Sequence, residues 1–430
     1  MKGCVMNGAM FFPVSEFGAQ ADGHSDDAPA IQRAIDAAAE NGGGIVSLGA
    51  GRYRVAGSLR VKRGVTVQGV HDAPVGFTGL SGTVILATGG RGNDEDAVPA
   101  LFELGDSSAV RGLTIFYPEQ RADEIVPYPW AFHLHESDNT VECVTFINAY
   151  KGIRVGPEHN CRHRIRSIHG CVLRCGIWVD NCWEIGRVEN CQLHPHWWSH
   201  ESVGGNWGKA CDFMAENLEG FVFGRTDWEY ITNNFLYSSK ICYRFIHTAN
   251  GECNGHLTGC GADGSQTAIQ IDRMQRMGLL ITGGEFVSLA GPEPCQVRVM
   301  ETSDQGSVRF VNCAFWGLSN HIAVLEGAGY ASFSDCYFTN WKRGVDDAPL
   351  VIAKRGRLQV VNCSFDTHHP CIQIGPGIAH AIVRGNNGAN GVSILDQSGG
   401  KAVLSENEPP ATKPFPEPFG INGRPAEGGD

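Results

Sequence analysis

A short phrase recurs along this chain and limits its fold more than any other feature: alternate apolar residues, a small polar residue, a cysteine and, two places on, another bulky apolar residue. It reads Val188, Asn190, Cys191, Leu193, then Val308, Phe310, Asn312, Cys313, Phe315, and again Leu358, Val360, Asn362, Cys363, Phe365. Each copy has the period of two of a half-buried strand, with a slip of one residue at the Asn, as in a strand that turns a corner and resumes. The turn position can be followed through Cys143, Gly170, Asn190, Asn233, Gly259, Gly283, Asn312, Asp335 and Asn362, in steps of 27, 20, 43, 26, 24, 29, 23 and 27 residues. A second short strand follows each phrase: GIRV from Gly152, GIWV from Gly176, AIQI from Ala268, HIAV from His321 and CIQI from Cys371. Strands of three to five residues at this interval predict an all-β solenoid, a single-stranded parallel β-helix in which each strand pairs with its counterpart one coil away. Solenoids grow by adding coils, so residues 1–405 read as one domain, followed by a Pro- and Gly-rich tail over 406–430.

Between Phe17 and Val67 the pattern changes. Asp26 and Asp27 are N-cap candidates, Pro29 falls near the first turn, Ile31, Ala34, Ile35 and Ala38 share a face, and Gly42, Gly43 and Gly44 stop the run. These are the marks of an amphipathic helix. In a cap over about 17–70 it would plug the open end of the coils. The stretch FGAQADGHSDDAPAIQRAIDAA, followed by GGGIVSLGAGRYRV, resembles the opening of the pectate-lyase-like superfamily, in the branch related to family 28 glycoside hydrolases. The resemblance covers roughly the first 70 residues, and the coils carry it to about residue 390. It implies a right-handed parallel β-helix that acts on carbohydrate, and it specifies the scaffold more firmly than the reaction.

The family's reaction motifs are missing. Polygalacturonases of family 28 carry Asn-Thr-Asp, a paired Asp-Asp on the next coil, Gly-His-Gly and Arg-Ile-Lys. The adjacent pair in the coils here, Asp346 and Asp347, lacks those companions. The Arg-x-Pro-x-x-Arg segment of pectate lyases is absent too, so no catalytic residue carries over.

With 34 Lys and Arg against 46 Asp and Glu, the net charge of -12 excludes nucleic acid as a general partner. A local basic stretch, Arg162, His163, Arg164 and Arg166, reads as a solvated outer strand, with contact to an acidic polysaccharide as the alternative. Most of the 16 cysteines, among them Cys171, Cys191, Cys260, Cys313, Cys336 and Cys363, fall at the inward position of the repeat, where they would stack as small hydrophobes. No CxxC stands opposite another at zinc spacing, so the reading assigns no metal and no cofactor. Free thiols suit a reducing compartment, and no apolar run approaches a membrane span. The expectation is a cytoplasmic protein, or an exported one whose leader has been removed, with no membrane partner. Homotrimerisation is the expectation from analogy with other β-helices.

The 43-residue step between Asn190 and Asn233 points to the chemistry. It holds an inserted loop over about 194–219, HPHWWSHESVGGNWGKACDFMAENLE, and loops on rigid scaffolds commonly carry function. Trp197, Trp198 and Trp207 offer flat faces for sugar rings, and His194, His196 and Lys209 can address hydroxyls or a carboxylate. Hydrolysis of a glycosidic bond needs two carboxyl groups. The candidates are Asp180 or Asp227 as one partner and Asp212 or Glu216, four apart on a possible helix, as the other. A second patch, from Tyr117 to Asn139, adds Glu119, Tyr128 and Trp130 as binding candidates. In it His133 and His135 alternate with Phe132 and Leu134 and could act as ligands on one strand face. The leading expectation is a glycoside hydrolase acting on a poly- or oligosaccharide. The alternatives are a lyase or epimerase on a uronic-acid polymer, in which Lys209, His194 and His196 would act, and a non-catalytic sugar-binding solenoid.

Overall fold

A computed structural model describes residues 10–70, 80–340, 348–367 and 370–410. Asp346, Asp347 and most of the tail lie outside the described residues. The chain divides into two compact units, one through Gly255 and one from His256. No helix among the described residues is long and apolar enough to cross a membrane.

Both units are built from parallel coils. In the first, the strand Phe102–Leu104 pairs with Trp130–Leu134, which pairs with Thr140–Val155, which pairs with Arg164–Val179, all parallel. In the second, Ser307–Val311 pairs with Tyr330–Ser334, and Ala314–Gly317 with Tyr337–Asn340, again parallel. Several strands are longer than the three to five residues expected. Thr140–Val155 and Arg164–Val179 run 16 residues each, through a corner marked by register shifts between Phe146 and Lys151.

The turn positions explain why this sequence coils. Cys143, Asn190, Asn233, Asn312, Asp335 and Asn362 all adopt positive φ between 51° and 55°, as do Gly259 and Gly283 at 61° and 60°. Asn, Asp and Gly reach this left-handed region at least cost. Each corner is tied to the coil above: Asn312 N–H donates to the Ser334 carbonyl at 3.0 Å, and Asp335 N–H to that of Val361 at 3.1 Å. One turn position is corrected. Glu142 pairs with Arg166, and Arg166 with Glu189, so the counterpart of Cys143 and Asn190 is Ser167, with φ 55°, and not Gly170. The irregular steps of 27 and 20 become 24 and 23.

In-register parallel coils put like residues above one another. Phe315 stacks on Phe338 at 5.3 Å and Phe338 on Phe365 at 4.7 Å, with interplanar angles of 9° and 10°. Cys313, Cys336 and Cys363 are buried free thiols; the contact with Cys313 lowers Cys336, but the contact with Cys363 and burial outweigh it and push it up to about 12.

The predicted helix is α1, Ala28–Glu40, with Ile31, Ala34, Ile35 and Ala38 buried. It packs against the strands Phe11–Pro13, Gly44–Ser47 and Leu59–Val61. Asp27 stands at its N-cap but serves the preceding loop instead, accepting from the N–H groups of Gln20 at 2.7 Å and Ala21 at 3.1 Å.

Candidate functional site

Along one face of the first unit, each coil places a single side chain between two inward apolar residues. Phe102 and Leu104 flank Glu103, Phe132 and Leu134 flank His133, Ile153 and Val155 flank Arg154, and Ile177 and Val179 flank Trp178. Register places Arg60, Glu103, His133, Arg154 and Trp178 in one row. Inner residues are fixed by the core, so this outer row is where composition can vary without harm to folding.

The row and its neighbours line a groove of about 600 Å³, with Arg60, Lys62, Asp96, Glu103, His133, His135, Glu136 and Glu158 on its walls. The two imidazoles lie with centroids 3.7 Å apart. Glu103 Oε2 is hydrogen-bonded to His135 Nε2 and lies 3.6 Å from His133 Nδ1. Glu158 approaches from elsewhere, with Oε2 3.6 Å from His133 Nε2 and Oε1 3.8 Å from His135 Nδ1. His133 Nε2 is 2.8 Å from the Gly156 carbonyl, which can only accept, so Nε2 carries the proton and Nδ1 is the basic nitrogen.

The surroundings push the two rings apart electrostatically. Burial, reinforced by the neighbouring His135, holds His133 below 6.5, whereas the hydrogen bond that His135 donates to Glu103 raises His135 above 6.5 against its own burial. For Glu103, burial pulls upward but is outweighed by the bonds from His135 and the Ala100 N–H, so its carboxyl sits low. The two rings are thus biased in opposite directions, His133 toward the neutral form a base needs and His135 toward the protonated form an acid needs.

A loop is pinned beside the groove. Asp96 accepts from Trp130 Nε1 at 3.2 Å and pairs with Arg154 at 3.3 Å and Lys151 at 3.5 Å. Burial raises the Asp96 carboxyl, but the Trp130 bond and the two cations outweigh it and hold it low.

The inserted segment folds into short 3-10 turns, Pro195–Trp198 and Glu201–Val203, and helix α2, Trp207–Asn217, capped by the Asn206 side chain. Four rings gather there. His194 stacks on His196 at 4.1 Å and on Tyr237 at 4.7 Å, and Trp207 lies 6.1 Å from His196 and 6.3 Å from Tyr237. Burial, with His196 alongside, lowers His194 to about 4. Trp197 sits 6.0 Å from His169, and Lys209 is paired with Asp123.

Several candidate side chains are placed otherwise than the sequence suggests. Trp198 is fully buried and donates to the Val203 carbonyl at 3.0 Å, so it builds the loop and presents no face to a ligand. Tyr128 is likewise buried against Tyr117, and Trp130 is largely buried beneath Lys151. Asp180, 2% exposed, accepts from the Arg225 N–H at 2.7 Å, Thr248 Oγ1 at 2.9 Å and Asn250 Nδ2 at 2.9 Å, the contacts of a structural bracket. Asp227 pairs with the Arg225 guanidinium at 2.7 Å, so Arg225 joins these two acids. Asp212 and Glu216 share the exposed face of α2, and Glu119 pairs with Arg91 at 3.8 Å. His163, expected on a solvated strand, is fully buried.

The alternation of His133 and His135 is legible in the sequence, but their partners Glu103 and Glu158 come from other coils. Aligning Phe-Glu-Leu at 102–104 with Phe-His-Leu at 132–134 would have found Glu103.

Residues 11–77 match the family model described as rhamnogalacturonase A/epimerase, pectate lyase-like. The match is confined to the opening segment of the chain. A solved structure of DFA-IIIase from Arthrobacter chlorophenolicus A6 in complex with GF2 superposes with a TM-score of 0.53 at 10% identity, covering 92% of this chain and 98% of that one, a likeness of fold alone. Among curated proteins, mannuronan C5-epimerase AlgE3 of Azotobacter vinelandii is 49% identical over 75 residues, which is 16% of this chain and 4% of that protein. Alginate lyase 7 of the same organism is 43% identical over 81 residues, 19% of this chain and 9% of that protein. The chain thus spans a small fraction of the length of the curated relatives it matches.

Proposed function

We propose that this pectate-lyase-like protein is a carbohydrate-active enzyme that removes the C5 proton of a uronic-acid residue, as a polysaccharide lyase or epimerase. The observation that carries the reading is the pair His133 and His135, both on Glu103, in an open groove also lined by Arg60 and Lys62. His133 Nδ1 would take the C5 proton, and the nearby cations would stabilise the charge that develops on the uronate carboxylate. In elimination, the C5–H electrons form the C4=C5 bond, the bond from C4 to the glycosidic oxygen breaks, and His135 protonates the departing oxygen. In epimerisation, a proton returns to C5 from the opposite face. The named relatives, a mannuronan epimerase and an alginate lyase, support a uronate substrate. The ring cluster of His194, His196, Trp207 and Tyr237, with Trp197 and Lys209, supplies further sugar-binding surface.

Glycoside hydrolysis is the second reading, and its support is the pair of carboxylates, Glu103 and Glu158, that approach the two histidines from different atoms of the rings. Asp212 and Glu216 of the inserted segment, with Asp227 beside it, stay the other candidates for that chemistry.

Incubation with polymannuronate and polygalacturonate separates the readings. A lyase yields unsaturated ends that absorb in the ultraviolet, an epimerase working in heavy water incorporates deuterium at C5, and a hydrolase releases reducing ends with neither mark. Ultraviolet-absorbing or deuterated products, lost in His133→Ala, support the first reading. Reducing ends alone would replace it with the second, and no product from any acidic polysaccharide would overturn both.

A further inference from the structure

We propose that His163, Cys182 and Glu229 form a buried binding site for a thiol-seeking divalent cation, zinc being the first candidate. The site lies in the first unit and shares no residue with the groove at His133.

Three observations carry it. Each of the three residues is fully buried, and their ligand atoms, one imidazole nitrogen, one sulfur and one carboxylate oxygen, all lie within 4.8 Å of one another. This is the mixed donor set that zinc takes in proteins. Second, a polar atom is left over: His163 Nε2 meets Glu229 Oε1 at 2.8 Å, yet Glu229 Oε2 is buried with no hydrogen-bond partner. An orphaned buried carboxylate oxygen is costly, and a cation satisfies it.

Third, the scaffold makes room for the cluster. Backbone bonds from Arg187 N–H to the His163 carbonyl and from Tyr230 N–H to that of Gly186, both 3.0 Å, place His163, Gly186 and Glu229 at one position on three successive coils. A Cβ on Gly186 would stand 2.4 Å from His163 Nε2 and 2.5 Å from Glu229 Oε2. The middle coil therefore carries no side chain where the polar atoms of its neighbours converge. Binding would release the Cys182 proton, since the thiolate is the ligand.

The test uses cobalt, which reports on thiolate ligation by its charge-transfer absorption. The full chain is expressed in cobalt-supplemented medium, so that the ion can enter during folding, then desalted and assayed for metal content and spectrum. The expected result is stoichiometric cobalt with a sulfur-to-cobalt band. The band should vanish in Cys182→Ser and persist in His135→Gln, which removes a ligand atom from the other His and Glu cluster. Should Cys182→Ser fail to fold, Glu229→Gln, which keeps its size and its bond to His163, should still lower cobalt content about tenfold or more. Wild-type protein free of cobalt, or a band unchanged in the folded variants, overturns the proposal and leaves a metal-free ion pair. None of these readouts depends on turnover, so they stand or fall apart from the proposed activity.

Discussion

The two units use the same coil for different ends. From His256 onward the repeat is close to monotonous: Asn312, Asp335 and Asn362 turn the corners, Cys313, Cys336 and Cys363 follow them, and Phe315, Phe338 and Phe365 stack beneath. Before Gly255 the same frame is repeatedly broken. A 43-residue step holds a helix, outward positions carry Glu103, His133 and Arg154, and a glycine at 186 opens space for a buried His and Glu pair. Regularity marks residues whose task is to stack. Departures from it mark positions held against the simplest packing, where chemistry is to be sought.

This contrast can be broken experimentally. The largest effect is expected on rate in the first unit: His133→Ala should slow turnover about 10²- to 10⁴-fold with an unchanged circular dichroism spectrum, the range for loss of a positioned acid or base. His321→Ala, on a strand of the second unit, should leave the rate alone. Equal losses in both would show that neither unit is specialised.

The reverse holds for stability. Phe338→Ala deletes the middle ring of a fully buried stack, and should cost about 3–5 kcal/mol in denaturant unfolding without changing the rate below the transition. A loss under about 1 kcal/mol would mean that the ladder is not cohesive.

Smaller in energy but sharper in position is Gly186→Ala. Its Cβ would lie 2.0 Å from His163 Cε1, so a destabilisation of about 1–3 kcal/mol is expected. Gly57→Ala, with nothing within 4 Å, should stay within about 0.5 kcal/mol.

The pH profile should show the finest distinction. His133 is lowered and must be neutral, so its limb rises with pH below 6.5. His135 is raised and must be protonated, so its limb falls above 6.5. His135→Gln should remove the alkaline limb and leave the acid one, as read from initial rates across pH. Persistence of both limbs would deny His135 the role of acid.

Much of the scaffold was legible because its causes are local. Asn312 or Asn362 announces a corner by itself, since few residues accept its backbone angles, and the apolar period around it declares which side faces in. Gly170 misled for the same reason: its own φ is 137°, yet register puts Ser167 at the corner. The site was harder to read because its partners meet through the coil rather than along the chain. Glu103 and His135 are 32 residues apart, and His163 and Glu229 are 66 apart. Aromatic content alone drew attention to Trp198 and Tyr128, whose large side chains fill the interior. Cys182 carries no mark of its own in the sequence, and only its neighbours distinguish it.

The central claim is that the His133 groove, and not the acids of the inserted segment, performs the reaction. It is tested most directly by comparing initial rates of His133→Ala with those of a double variant, Asp212→Asn with Glu216→Gln, on the same uronate polymer. Loss of turnover in the first with near wild-type turnover in the second is the predicted result. The opposite outcome, an active His133→Ala and an inactive double variant, would move the reacting centre to α2 and contradict the account.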